Sequence, residues 1–295
     1  MKAPVQALTV AEALAGAARR LAAVGVPSPE ADARLLLGHV LGRKALELVV
    51  EGGRQLTPLE QDGFGALVEA RADRRPLQHL IGDVEFYGRN FRVGAGVLIP
   101  RPETEAVVEA ALGVLDASIP PLTPAFAKVA DIGSGTGVIG LTLAAERPQV
   151  QVWCVDREAA AAALTARNAV ELAVAGRVRV LRGDGVAALT REAFDLVVSN
   201  PPYLPSAMIP TLEPEVRDHD PRIALDGGPD GLGVIRRLLD EAGRVLRPGG
   251  HLVIEIGHDQ GGTVTRLAAQ GGWQTVTIRP DLAGYDRVLI ARRGA

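Results

Sequence analysis

Cysteine is nearly absent: Cys154 is the one thiol among 295 residues. A single thiol closes no intrachain disulfide and cannot build a thiolate zinc site, so a secreted disulfide scaffold and a structural zinc finger are both excluded. A reducing, cytoplasmic setting fits. Aromatic residues make up only 3% of the chain, and Lys2, Lys44 and Lys128 are its only lysines. Positive charge is also lacking overall, with a formal net charge of −3, so nothing in the bulk composition attracts polyanions. Long hydrophobic runs are missing too. Residues 120–127 are uncharged but short and carry Pro120, Pro121 and Pro124, while residues 132–145 are broken by glycine and shorter than a membrane span requires. The first ten residues hold one lysine and no sustained apolar core, unlike a secretory leader. Neither a membrane partner nor general nucleic-acid coating is expected. His39 and His79 have no second ligand at metal spacing, so no metal site is expected.

What is present is ordinary globular material, 47% hydrophobic and 23% charged, in a length that suits two domains. Residues 9–72 read as helices. Thr9 with Glu12, and Thr57 with Glu60 behind Pro58, have capping-box spacing, and Ser28-Pro29-Glu30 reads as a third helix start. Leu14 and Leu21, Leu35, Leu36 and Val40, and Leu59, Leu67 and Val68 recur at helical steps, predicting one apolar stripe per helix and a small bundle over residues 1–80. Residues 84–99 mix Phe86, Tyr87, Phe91, Val93, Val97 and Ile99 with Gly88, Gly94 and Gly96, which predicts a β-hairpin and a hinge within a linker at 81–100. Pro102 and Glu103 open a further helix, followed by a proline-rich loop at 120–124. Strands are expected at 128–132, 150–155, 178–181, 194–199, 251–256, 273–278 and 287–291, alternating with helices as in a parallel, doubly wound sheet.

Between the first of these strands and a helical run lies Asp131-Ile132-Gly133-Ser134-Gly135-Thr136-Gly137. Glycine lets backbone N–H groups approach a ligand closely, and a helix N-terminus favours a polar or anionic group. Gly135, Gly137 and Gly140 also satisfy a dinucleotide fingerprint, so this loop alone leaves NAD and S-adenosylmethionine open, while the missing Gly-Lys-Ser/Thr disfavours a phosphate-binding P-loop. Asp156 ends the second strand, where a carboxylate accepts from both ribose hydroxyls. Gly183-Asp184-Gly185 follows the third strand, where Asp184 could accept from an adenine amino group and the Gly185 N–H donate to a ring nitrogen, although Asp184 taken alone reads as a turn residue. A nucleoside ligand is favoured.

The fourth strand runs into Asn200-Pro201-Pro202-Tyr203. Prolines cannot donate to a ladder and hold the preceding residue extended, so this is a rigid terminus that offers the Asn200 side-chain oxygen and the Pro201 carbonyl. Both are acceptors. A planar NH₂ needs two acceptors to fix it, and Tyr203 offers an aromatic wall beside it.

These residues resemble the N5-glutamine methyltransferases of peptide-chain release factors. The matching stretches are Glu85-Phe86-Tyr87-Gly88, Leu98-Ile99-Pro100-Arg101-Pro102-Glu103-Thr104-Glu105, Asp131 to Gly137, Ser199 to Tyr203, Glu255-Ile256-Gly257 with Gln260, and Asp281-Leu282-Ala283-Gly284 with Asp286-Arg287. The resemblance covers nearly the whole chain. It implies an α/β fold in which a helical N-terminal domain is joined by a hairpin to a Rossmann-like class I methyltransferase domain, with a seven-stranded, mostly parallel sheet over 101–295. Two positions depart from the family pattern: Gly185 stands where a tryptophan is usual, and Asp220-Pro221 where Glu-Pro is.

By resemblance, S-adenosyl-L-methionine is the cofactor and the substrate is the glutamine of the Gly-Gly-Gln motif in class I peptide chain release factors. Asn200, Pro201, Pro202 and Tyr203 form the expected catalytic set. Asp131, Gly133, Ser134, Gly135, Thr136, Gly137, Asp156, Asp184, Gly185 and Asn200 form the expected cofactor site. The bundle at 1–80 is expected to recognise the protein substrate, and the chain to act as a monomer. A glutamine of a ribosomal protein is an alternative acceptor. Adenine-N6 methylation of DNA, which shares Asn-Pro-Pro-Tyr, is a further alternative, but such enzymes need a basic surface and the net charge here is −3.

Overall fold

The computed structural model describes residues 8–118 and 126–294, so the first seven residues and the proline-rich loop with Pro120, Pro121 and Pro124 lie outside it. The described residues divide into two compact units. One comprises the chain through Gly82 together with Glu213–His219, and the other comprises Asp83–Leu212 and Asp220 onward. None of their helices is long and apolar enough to cross a membrane.

The first unit is built on helices Val10–Ala23, Pro29–Leu41, Ala45–Val50, Pro58–Ala72 and Leu77–Ile81. Both expected capping boxes form: Glu12 Oε2 accepts the Thr9 N–H at 2.9 Å, and Glu60 Oε2 accepts the Thr57 N–H at 2.8 Å. Ser28 precedes a helix as expected but its side chain makes no cap bond, leaving Pro29 and the acidic first turn to define that start. Leu21, Leu36, Leu37, Leu48, Phe64 and Val68 fill the core. Leu35 and Leu59, expected on the apolar stripes, are instead exposed. At about 100° per residue, Leu59 lies far around the helix from Phe64 and Val68, which carry its buried face.

A partly buried ion-pair cluster also holds this unit. Arg71 reaches Asp32 at 2.7 Å and Glu215 at 2.8 Å, and Arg74 reaches Glu215 at 2.6 Å. Burial pushes the Glu215 carboxyl up, but the hydrogen bonds from Arg74 and Arg71 overcome this and hold it at about 2. Nothing in the order of the chain foretold that Glu213–His219 groups with the N-terminal helices.

The second unit opens on strands β1 (Asp83–Phe86) and β2 (Arg89–Arg92), a hairpin whose turn places Tyr87 at φ 51° and Gly88 at φ 70°. Two left-handed residues make the tight turn whose twist matches antiparallel strands. The hairpin expected to run to residue 99 stops at Arg92, because Gly94 and a left-handed Gly96 break the ladder. Val93, Val97 and Ile99 are nonetheless buried, as connecting chain.

Strands β3 (Ala127–Ile132), β4 (Val150–Asp156), β5 (Val178–Arg182), β6 (Phe194–Ser199), β7 (Leu246–Glu255), β8 (Gln274–Pro280) and β9 (Asp286–Arg292) form one sheet in the order β5-β4-β3-β6-β7-β9-β8. The neighbours from β5 to β7 are parallel, and β9 pairs antiparallel with both β7 and β8. Side chains alternate between two core clusters: Val129, Leu196, Val198 and Val253 enter one, and Ala130, Val197, Leu252 and Ile254 enter the other. The β7 strand starts well before the expected residue 251, since Leu246 pairs with Phe194 ahead of an irregularity in the register. Because β3 lies between β4 and β6, the chain reverses its direction of travel across the sheet there. The crevice beyond the carboxyl ends of β3 and β6 is the topological switch point where such sheets bind ligands.

Glu215→Ala is expected to destabilise the helical unit by about 3 kcal/mol, because it leaves the buried Arg71 guanidinium and the partly buried Arg74 guanidinium each short of a partner. The folded carboxyl titrates below its unfolded value. Its contribution is therefore complete above pH 4.5 and is lost as pH falls towards about 2, so the difference between wild type and variant should shrink over that interval in urea unfolding.

Candidate active site

A cavity at the switch point is lined by Gly133–Thr136 at the end of β3, Asp156 at the end of β4, Gly183–Gly185 after β5 and Ser199–Pro202 at the end of β6. Arg101 and Thr104 line it from the segment before helix Glu105–Ser118. The expected residues are thus largely brought together. Asp131, Gly137 and Tyr203 are not among the lining residues.

Gly133, Gly135 and Gly137 all take left-handed φ values, of 71°, 57° and 86°, which accounts for glycine at each. The loop's amides are largely used internally. The Gly133 and Ser134 N–H groups donate to the Val155 carbonyl at 2.8 and 3.2 Å, and that of Gly137 to the Ser134 carbonyl at 2.7 Å. The Gly135 N–H donates to Asp156 Oδ2 and the Glu158 N–H to Asp156 Oδ1, each at 2.9 Å. The loop therefore orients a carboxylate, and each oxygen of that carboxylate retains a further lone pair for a hydroxyl donor.

Beneath the loop, Asp131 Oδ2 accepts the Gly140 N–H at 2.9 Å, and its Oδ1 is buried with no partner among the described residues. Burial pushes this carboxyl up to about 7; the Gly140 hydrogen bond opposes the rise and the Asp156 charge adds to it. A Cβ at Gly140 would lie 2.9 Å from Asp131 Oδ2 and equally close to Val152, so helix and strand meet here at glycine distance.

Two supports went unnoticed in the sequence. Thr165 and Asn168 face inward from the alanine-rich helix Ala159–Glu171. Thr165 Oγ1 donates to the Gly135 carbonyl at 2.9 Å, and Asn168 Nδ2 donates to the Thr136 carbonyl at 2.8 Å. Asn168 Oδ1 also accepts the Arg92 N–H, joining the hairpin to the loop. Their spacing of three residues on one helical face was the available signal.

Around Asn-Pro-Pro-Tyr the separate sequence motifs converge. Ser199 Oγ donates to the Ile132 carbonyl at 2.6 Å, tying the end of β6 to that of β3. Asn200 Nδ2 donates to Thr104 Oγ1 at 3.0 Å, Thr104 Oγ1 donates to Glu255 Oε2 at 2.7 Å, and the Tyr203 hydroxyl donates to Glu255 Oε1 at 3.1 Å. The Gln260 amide donates to the Tyr203 carbonyl at 2.9 Å and accepts the Gly257 N–H at 2.9 Å. Burial raises the Tyr203 phenol, and the Glu255 charge raises it further, so the tyrosine remains a neutral donor. Glu255 is itself raised by burial, with the Thr104 and Tyr203 hydroxyls opposing the shift.

On the far rim, Asp184 is not an unencumbered acceptor: Arg237 Nη1 pairs with its Oδ2 at 2.9 Å, while Arg237 Nε binds Glu241 at 2.9 Å. A Cβ at Gly185 would lie 3.1 Å from Arg237 Nη2. The guanidinium thus crowds the position where the resembling family usually carries tryptophan. At the other departure, Asp220 still pairs with Arg101 at 2.6 Å, and Pro221, Ile223 and Ala224 line the cavity behind it.

The fold is that of a class I methyltransferase. Among solved structures, a methyltransferase from Pyrococcus furiosus aligns with a TM-score of 0.51 at 16% identity, over 71% of this chain and 91% of that one, a likeness of fold. Residues 12–82 match the PrmC N-terminal domain, and residues 113–209 the methyltransferase small domain. The release factor glutamine methyltransferase of Moorella thermoacetica is 43% identical over 97% of this chain and 99% of its own length. Those of Caulobacter vibrioides and Deinococcus radiodurans are 41% and 43% identical over 96% and 95% of the chain, covering 96% and 97% of their own lengths. The chain belongs to the release factor glutamine methyltransferase family.

The raised Asp131 carboxyl gives a pH signature. The unfolded group ionises near 3.8 and the folded one near 7, so its contribution is greatest below pH 3.8 and declines as pH rises to about 7. Asp131→Asn should lack that slope of at most about 1.4 kcal/mol per pH unit. Urea unfolding of both proteins across this range checks it; parallel stability profiles would show that Asp131 is ionised throughout.

Proposed function

We propose that this enzyme transfers a methyl group from S-adenosyl-L-methionine to the side-chain amide nitrogen of the glutamine in the Gly-Gly-Gln motif of class I peptide chain release factors. The observation that carries this reading is the orientation of Asn200. Its NH₂ is committed to Thr104, which leaves Oδ1 as the acceptor for an incoming NH₂ group at the cavity. With the Pro201 carbonyl as the second acceptor, the two groups suit both hydrogens of a primary amide and would repel a carboxylate.

The cofactor fits the residues present. Asp156, held by two backbone N–H groups with lone pairs to spare, suits the two hydroxyls of a ribose. Gly133 and Gly135 line the cavity without adding a side chain to it. Asp184 and Gly185 would meet the purine end, with Arg237 beside them in place of an aromatic ring. Bound there, S-adenosylmethionine would supply a methyl group activated by its sulfonium charge. The protein's part is alignment. Asn200 Oδ1 and the Pro201 carbonyl hold the amide, keep its nitrogen lone pair off the hydrogen-bonding plane and stabilise positive charge as it develops on nitrogen. As the N–C bond formed and the S–C bond broke, S-adenosylhomocysteine would leave and the surplus proton of the strongly acidic methylated amide would pass to water. Tyr203, a neutral phenol bound to Glu255, stiffens the turn and takes no proton.

The helical unit is assigned to recognition of the protein substrate. It carries no chemistry of its own, and residues 12–82 match a domain model named for this kind of N-terminus.

Asn200→Ala should lower single-turnover methylation by about 10²-fold or more while leaving cofactor affinity intact, the usual scale for losing one preorganised polar contact to the reacting group. Asp156→Ala should do the reverse, weakening cofactor binding by roughly 1 to 3 kcal/mol in calorimetry. The substrate test uses labelled cofactor with an intact release factor, a free Gly-Gly-Gln peptide and duplex DNA, followed by mass-spectrometric mapping. Methylation of the factor's glutamine, far slower on the peptide and absent on DNA, is expected; equal rates on factor and peptide would remove the recognition role, and label on DNA would overturn the reading.

A further inference from the structure

We propose that Thr104 is a positioning residue for the transfer, its hydroxyl dictating which end of the Asn200 side chain faces the cavity. This rests on the amide-methylation reading and adds to it a residue that acts through the Asn200 side chain.

The reasoning follows from the count of protons. A threonine hydroxyl has one hydrogen to give, and here both oxygens of Glu255 accept a hydroxyl hydrogen. Glu255 is nearly inaccessible, at 1% exposure, and Thr104 at 2%. Glu255 Oε2 takes the Thr104 hydrogen at 2.7 Å, and its other oxygen is taken by the Tyr203 hydroxyl at 3.1 Å. Thr104 Oγ1 is then left with lone pairs alone towards Asn200, so only the NH₂ end of Asn200 can face it, as it does at 3.0 Å. The opposite rotamer would set two acceptor oxygens against each other in a buried place, at a cost of about 1 to 3 kcal/mol. Asparagine cannot choose its orientation by shape, since its two ends are nearly the same size. Here the choice is made by a carboxylate two hydrogen bonds away.

The inverted side chain would turn an NH₂ towards a substrate NH₂. Thr104 thereby converts a symmetric-looking amide into a one-sided acceptor. The same network explains why Thr104, Glu255 and Tyr203, from three separate stretches of sequence, occur in one chain with Asn200.

Thr104→Val removes the hydroxyl at nearly constant volume, and Thr104→Ser restores it without the methyl. With wild type, single-turnover methylation of an intact release factor is measured beside calorimetric binding of S-adenosylhomocysteine and thermal unfolding. The expected result is a fall in rate of about 10- to 100-fold for the valine variant, with unchanged product affinity, and near-wild-type turnover for the serine variant. A valine variant as fast as wild type overturns the proposal while leaving the amide reading in place. So does equal impairment of valine and serine variants, which would mark a packing role, or a loss of product affinity matching the loss of rate. If wild type methylates no glutamine, the reading fails and the proposal with it.

Discussion

A carboxylate that folding has withdrawn from water must be given hydrogen-bond donors, and in this protein that requirement falls on Glu255. The donors it finds are hydroxyls from two distant stretches, Thr104 and Tyr203. Satisfying one buried acceptor therefore draws the segment before helix Glu105–Ser118 and the Asn-Pro-Pro-Tyr turn to the end of β7. Gln260 adds a second tie by binding the Tyr203 carbonyl. The rigid turn is thus held from both sides, by its side chains and by its backbone, and the proline pair need only keep the chain extended between those ties.

The glycine loop obeys a different economy. Its amides do not wait for a ligand but bind the neighbouring strand and Asp156. What the loop contributes is a carboxylate fixed in place and two glycine positions that add no side chain to the cavity lining. Charge is arranged accordingly: Asp156 faces the cavity while Asp131, close beneath it, is kept out of water and raised in pKa. Two ionised carboxylates so near each other would repel, and the protonation of Asp131 that burial favours relieves that repulsion.

Much of this could be read in the residues themselves. All seven strands of the large sheet were expected within a few residues, except that β7 begins at Leu246, because Pro248 and Gly249 hid a strand whose pairing tolerates an irregularity. The capping boxes were legible because their chemistry is local. Asn200, Asp156 and the glycines were legible because a ligand crevice falls at fixed points in a doubly wound sheet. Asn168, Thr165 and the Arg237 pairs were not, since each acts on backbone or charge far away in sequence. Leu59 misled because a periodic pattern does not say where on the helix its stripe begins.

The grouping of Glu213–His219 with the N-terminal helices, through Glu215 and its two arginines, bears on how the gene can be cut. A chain that crossed once from bundle to sheet could be divided at Gly82 into two exchangeable cassettes. This one crosses three times, at Gly82, after Leu212 and before Asp220. A graft of a foreign N-terminal bundle onto this catalytic sheet must carry its own version of the inserted segment, and recombination between relatives would succeed only where both pieces came from the same parent. Inheritance of the two parts is coupled, however separable they look in a linear alignment.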